Sequence, residues 1–516
     1  MRRILVGTAC ALALTAAVAA QQAGALQTAA TTLGVANINT LEFSGSGRNF
    51  SLGQNYTPAE PWPPVTVKTY TAQVNFGTGS MRQDLVREMG ATMPRGGGAP
   101  FFGEQRQIQV VSGDFAWNVP APAPPAAPEA GRVTTAQALQ VIGQRPPAPP
   151  VQPAAGNQVE RMLFVWTSTP QGFVKAAMAN NATAKKAGNN TELSFTVGGK
   201  YRVTGQVNPQ GQVEKVQTWI DQSIVGDMLV ETTFSGYKDF GGVQFPAKIV
   251  QTQDGYPTLE INVAEVKANP MVNITVPDNV RAAAGAPPAP ITVMSQEMGK
   301  GVFFLTGGTH HSLAVEMKDH IVVVDLPNNQ ARAQAVLAKA KELIPNKPVK
   351  FVVTSHHHWD HLGGIREAFA EKATIVTHRS NKQFLERVAK TPHTLNPDRQ
   401  AMVKGKAKIQ VIDAMGKLTD GTRTIELYTM TGYEHTGDMI MVYLPQEKLL
   451  ALPDAFTPPA QVNAALIAPA VPYAKALYDN IQRLKLDVQT IATFHGNRTT
   501  TVAEVARAAG VTPATN

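Results

Sequence analysis

All eleven histidines of this sequence fall between His310 and His495. Several are packed into Ser355-His356-His357-His358-Trp359-Asp360-His361, directly after the apolar run Phe351–Thr354. A loop leaving a buried strand can turn His356 and His358 to one side and Asp360 and His361 to another. Two adjacent metal ions can then share one short segment. Imidazole and carboxylate donors together suit zinc, with iron or manganese as alternatives. A surface histidine run would need neither the Asp nor the Leu362-Gly363-Gly364 turn that follows.

The elements around this segment alternate between strand and helix. Ile321–Asp325 and Phe351–Thr354 are apolar strands, and Ala331–Ile344 is a helix with Ala333, Val336, Leu337 and Ala340 along one face. Ile365–Ala370 starts another helix. Strands follow at Ile425–Thr429, Met439–Leu444 and Leu449–Leu452, then a helix at Tyr473–Leu484 and a strand at Ile491–Phe494. This rhythm predicts an α/β domain over 291–516. Residues 41–280 read differently. Period-two alternation in Val65–Phe76, at Leu193/Phe195/Val197 and at Leu259/Ile261/Val263 predicts a β-rich N-terminal domain, with turns at Asn208–Gly211 and Asp254-Gly255. A Pro/Ala-rich insertion occupies 119–155, with a short helix expected near Thr134–Ile142. A second Pro/Ala stretch, 281–290, is expected to link the two domains, so that 291–516 forms a unit of its own.

Composition sets the outer bounds. With 516 residues, 43% of them hydrophobic, the chain has enough apolar sequence for two or three cores. Its one cysteine, Cys10, excludes a disulfide framework and a cysteine zinc site. The net charge of +8 comes without a Lys/Arg run interleaved with aromatics, which argues against nucleic acid as a partner. Arg2 and Arg3 precede an Ala/Leu-rich stretch, with small residues at Ala17, Ala19 and Ala20 before Gln21. Residues 1–20 are therefore expected to be a cleaved signal peptide, sending the protein to the periplasm or outside the cell with no stable membrane span.

The His356–His361 segment has the pattern H-x-H-x-D-H, and here the chain resembles the metallo-β-lactamase-fold hydrolases, the hexamer being closest to the glyoxalase II version. The resemblance spans roughly 293–500. Tyr433-Glu434-His435-Thr436-Gly437-Asp438, Leu449–Asp454 and Phe494-His495-Gly496 fall in the order those enzymes use. It implies an α+β, two-domain chain whose C-terminal part is an αββα sandwich with metals at one edge. Carried over, His356, His358 and His435 would hold one ion. Asp360, His361 and His495 would hold a second, Asp454 would bridge, and Asp360 would also orient the attacking water. Two divalent ions, zinc foremost, would lower the pKa of a shared water and polarise the group to be cleaved. The implied reaction is hydrolysis of an ester, lactone, thioester or β-lactam. Phosphodiesters and sulfates, or a non-catalytic binding role in the envelope, are the alternatives. The implied partner is a small-molecule substrate, and no oligomeric state is assigned.

Departures narrow this. Asp454 argues against the cysteine-containing lactamase subclass, and Pro453 stands where glycine usually precedes that Asp. Too little chain follows His435 for the helical domain that grips glutathione in glyoxalase II. His357 should face away from the metals. His310 or His311 is a candidate substrate contact, and Tyr433 a candidate donor to an oxyanion. Arg95-Gly96-Gly97-Gly98 lacks the Lys-Ser/Thr of a phosphate loop and reads as a turn. The run Phe234–Pro246 faintly resembles periplasmic lipoprotein-carrier half-barrels, which cup apolar ligands. A dimerisation or cover domain is the equal alternative.

Overall fold

Apolar residues on alternate positions build one large antiparallel sheet in the N-terminal half. The computed structural model describes residues 24–90, 94–98, 101, 103–120, 150–287, 289–403, 407–459, 471–496 and 498–511. Residues 1–20, most of the Pro/Ala insertion and its expected helix lie outside them. Among the described residues, a 13-stranded sheet runs from Gln152–Pro153 at one edge to Thr183–Ala187 at the other. Its first and last long strands, Thr40–Phe50 and Tyr256–Ala268, pair at the middle. Leu193, Phe195 and Val197 all point inward.

Two helices that the alternation did not announce, Gln158–Thr167 and Pro170–Ala179, pack inside this sheet. The first touches Ser80–Glu88 and Glu104–Ser112 from one wing and Val213–Gln222 from the other, so the sheet curls around it. Leu163, Val165, Phe173 and Val174 on the pair are fully buried. The hollow expected to cup an apolar ligand thus holds the chain's own helices. Stretch 281–290 also differs from a plain linker. It begins inside the helix Asp278–Ala284, whose Val280 is buried with Ile108, Val110 and Trp117.

The C-terminal part contains two sheets. The 7-stranded one runs Met294–Gly299, Val302–Thr306, Ser312–Glu316, Ile321–Val324, Val349–Val353, Thr374–His378 and Lys408–Ile412, and its last four strands are parallel. The 5-stranded one runs Met415–Thr419, Thr424–Thr429, Ile440–Leu444, Leu449–Leu452 and Thr490–Thr493, and its last two are parallel. Phe304, Leu313, Val322 and Val353 of the first share one buried cluster with Leu427, Val442 and Ala451 of the second. Each such Phe, Leu or Val side chain contributes roughly 1.5–3 kcal/mol through burial. Helices Gln330–Leu343 and Ile365–Ala370 pack beyond the larger sheet, Val471–Leu484 and Val502–Ala508 beyond the smaller.

The two halves are firmly joined. Trp62 meets Trp359 edge-on at 5.4 Å between ring centroids. Arg387 forks onto Asp254, with both nitrogens at 2.7 Å from the carboxylate oxygens. The Asp227 carboxylate accepts from the Thr394 and Leu395 backbone N–H groups at 2.8 and 2.9 Å. Next to it, a Cβ on Gly226 would lie 2.1 Å from the Pro392 oxygen, so only glycine allows this approach.

His393 lies buried between Asp221 of the N-terminal half and Asp398, which also takes the Arg366 guanidinium. Burial opposes charge on the ring, but the two carboxylates outweigh it and push His393 up to about 9 from 6.5. A folded-state pKa above the unfolded one means stabilisation that is complete below the unfolded value and fades as pH rises through about 9. His393→Gln is therefore expected to melt below the parent at about pH 6 and to approach it above about pH 9. Melting curves across that range would show an unchanged gap if the pair contributed nothing.

Candidate metal centre

Parallel strands deliver most of this site, because their C-terminal ends lie side by side at one edge of each sheet. Ile321–Val324 ends at Asp325, and Val349–Val353 runs into Ser355–His361. In the smaller sheet Leu449–Leu452 leads to Asp454 and Thr490–Thr493 to His495. His435 comes from the loop before Ile440–Leu444, and His310 from the loop before Ser312–Glu316. A backbone bond from Ile440 N to Ser355 O, 2.7 Å, ties the two ligand-bearing edges together.

The structure brings His356, His358 and His435 together as one buried set. Asp360, His361 and His495 make another, joined by His310, and His356, His361 and Asp454 form a third that overlaps both. Asp454 sits at the junction. Its Oδ2 lies 3.3 Å from His356 Nε2, 3.2 Å from His361 Nε2 and 3.5 Å from His435 Nε2, while Oδ1 is 2.9 Å from His495 Nε2.

On three of these rings the proton is placed by what touches the outer nitrogen. His361 Nδ1–H donates to Asp325 Oδ2 at 3.1 Å, which frees Nε2. Ser355 Oγ donates to the same carboxylate at 2.6 Å, so it accepts from His356 Nδ1–H at 3.1 Å. His358 Nε2–H donates to the Asn55 backbone oxygen at 2.9 Å, leaving Nδ1 bare. His356 Nε2, His358 Nδ1, both His435 nitrogens and Asp454 Oδ2 are buried without a hydrogen-bond partner. The Nε2 atoms of His361 and His495 face each other at 3.1 Å. Such lone pairs turned on one another, with carboxylates between, fit cations and little else.

Electrostatics agree. Burial and the neighbouring rings keep His356 and His358 well below the usual histidine range, hence neutral and able to ligate. Burial would raise Asp454, but His361, His495 and His435 hold it well below the carboxylate range. Asp360 is likewise lowered against its burial, through His310 and His361. For His361, burial is outweighed by Asp454, Asp325 and Asp360, and the ring is pushed well above its ordinary value. This point demands positive charge, as a proton or as a metal ion.

His310 and His311 separate in role. His310 Nε2 is 3.1 Å from Asp360 Oδ2, and its ring lies 4.2 Å from that of His495. His311 donates instead to the Gly496 oxygen at 2.6 Å. His357 belongs to none of these ligand sets, donating Nδ1–H to Asp438 at 2.8 Å while its ring stands edge-on to that of His358. The sequence reading did not single out Asp325, Ser355, Gln54 or Asn55. Asp325 had a faint signal, an acidic residue ending an apolar strand just before Leu326-Pro327. Gln54 and Asn55 had none. Both Asp325 and Asp454 adopt positive φ, 58° and 57°, a region that Asp enters more readily than most residues.

Residues 305–495 match the family model described as the metallo-beta-lactamase superfamily. Among solved structures, the metallo-beta-lactamase from Pontibacter korlensis is 20% identical, with 43% of this chain and 98% of that one covered at a TM-score of 0.34. The metallo-beta-lactamase FIM-1 from Pseudomonas aeruginosa, in its mono-zinc form, is 18% identical over 43% and 96%, with a TM-score of 0.33. DIM-1 metallo-beta-lactamase is 17% identical over 42% and 96%, also at 0.33. No curated relative matches the chain.

Asp325 receives Ser355 N–H on one oxygen and Ser355 O–H and His361 N–H on the other. An amide offers only one accepting oxygen. Asp325→Asn is expected to weaken metal binding about 10–100-fold while leaving every ligand present. Competition against a chelator measures this, and parent-like affinity would remove Asp325 from the account.

Proposed function

Residues 305–495 form a metallo-beta-lactamase superfamily domain, and from that premise we propose that the chain is an exported, dinuclear metal-dependent hydrolase. Zinc is the favoured ion, and the substrates are esters, lactones, thioesters or β-lactams. The carrying observation is the overlap of the ligand sets at Asp454, whose oxygens lie within 3.5 Å of nitrogens from His356, His361, His435 and His495. An αββα reading of the layers is supported by the buried cluster between the two sheets and by helices beyond each of them.

Bound divalent ions supply a water that loses its proton near neutral pH and a Lewis acid for the carbonyl oxygen. The chain's residues do the rest. Asp454 lends negative charge to both ligand sets. Asp360, held as a carboxylate, would help orient that water. Tyr433 is buried beside His435 with its hydroxyl unpartnered, and burial keeps that hydroxyl protonated far above neutrality, so it is available to donate to the oxygen that gains charge. Among the described residues, two arginines near the centre are committed elsewhere. Arg332 donates to the Thr292 and Thr306 oxygens and Arg498 to Glu504. This favours carbonyl substrates over phosphodiesters and sulfates.

Export rests on Arg2, Arg3 and the Ala/Leu-rich stretch behind them. Among the described residues no helix is long and apolar enough to cross a membrane. A mature N-terminus near Gln21, read from protein recovered outside the cytoplasm, would support the proposal, and an intact Met1 would refute it.

Zinc-loaded protein is expected to hold close to two ions per chain and to turn over at least one chromogenic aryl ester, lactone, thioester or cephalosporin. Asp454→Asn keeps the side-chain size but removes the charge between the cations, and should lower turnover by about 100-fold or more. A single ion at saturation with full activity would end the dinuclear proposal.

A further inference from the structure

We propose that the N-terminal half is a working part of the metal centre, with Gln54 and Asn55 as positioning residues for ligands in both sets; this rests on the reading of those sets as metal sites. The loop after strand Thr40–Phe50 runs along the ligand segment and meets it residue by residue. Gly53 O accepts from Trp359 N at 3.2 Å. Gln54 Nε2 donates to Asp360 Oδ1 at 2.8 Å. The Asn55 backbone oxygen takes the His358 Nε2 proton, and its Oδ1 lies 3.1 Å from His357 Nε2. Tyr56 O then accepts from Gly437 N at 2.9 Å, two residues beyond His435.

Each contact does a definite job. A carboxylate free to rotate presents either oxygen, and the Gln54 bond reserves Oδ1, leaving Oδ2 on the side of His310 and His361. The Asn55 carbonyl keeps the proton on Nε2 of His358, so that Nδ1 can ligate. Asn55 is itself pinned, being 4% exposed and donating Nδ2 to the Glu60 oxygen at 2.9 Å.

The Arg95–Gly98 stretch, without a role in sequence, completes the clasp. Gly97 N donates to Gln54 O at 2.7 Å and Gly96 N to Glu434 O at 2.8 Å, so it bridges the Gln54 loop to the residue before His435. A Cβ on Gly96 would lie 2.7 Å from Gln54 O, and both glycines have positive φ. Adhesion between the halves is provided separately, by Trp62 on Trp359 and by Arg387 on Asp254. The polar loop is aimed at ligand atoms instead.

The test compares zinc affinity and melting temperature in the full-length protein. Gln54→Leu keeps the bulk and removes the donor. Asn55→Ala keeps the backbone oxygen but releases its anchor. Arg387→Gln loosens the same interface away from the ligands. Gln54→Leu is expected to weaken at least one zinc about tenfold or more in chelator competition, without changing the melting temperature of the metal-free protein. Arg387→Gln should retain parent zinc affinity. Should Gln54→Leu not fold, Asn55→Ala carries the comparison with the same expectation. Parent-like zinc affinity in a folded Gln54→Leu or Asn55→Ala, or an equal loss in Arg387→Gln, overturns the positioning role and leaves the metal sites standing. A parent protein that binds no zinc overturns the metal reading itself.

Discussion

A histidine offers a metal one lone pair only while its proton is kept on the other nitrogen, and a buried ring keeps it there only if something accepts it. Around Asp454 this condition is met separately for three of the rings. Asp325 holds His361 directly and His356 through Ser355, while a backbone oxygen holds His358. The cost of burying bare nitrogens and ionised carboxylates together is large unless cations complete the set. The sheet ends, the backbone bond from Ile440 to Ser355 and the loop from the N-terminal half all serve that one condition.

Much of the C-terminal part was legible because its elements are short, apolar and separated by turns. The helix Ile365–Ala370 and the strand Leu449–Leu452 lie where the sequence put them. The metal-capable residues were legible because their chemistry is rare and their spacing tight. The helices Gln158–Thr167 and Pro170–Ala179 were hidden for a physical reason. Each has only ten residues, under three turns, too short for its pattern to stand out beside the strands around it. Their boundary did leave a mark, since Thr169 caps the second helix through Gly172 N and Pro170 follows it. Gln54 and Asn55 left none. An amide that supports a ligand 306 positions away looks like any loop residue.

The Pro/Ala composition of 281–290 suggested independent halves, yet the contacts run the other way. Asp221, Asp227 and Asp254 all reach from turns and strand ends of the large sheet to the segment around Arg387–Leu395. One contiguous apolar cluster includes Phe43 and Phe245 of the N-terminal half together with Val323, Val336 and Leu362 of the C-terminal one. The halves differ in pattern but share a core.

The Gly53–Tyr56 loop therefore couples two equilibria that look unrelated. Docking of this loop on the ligand segment favours ligands in their metal-ready orientation, and by reciprocity a bound ion favours that docking. Withdrawal of metal would loosen the hold of this loop on the ligand segment as well as empty the site.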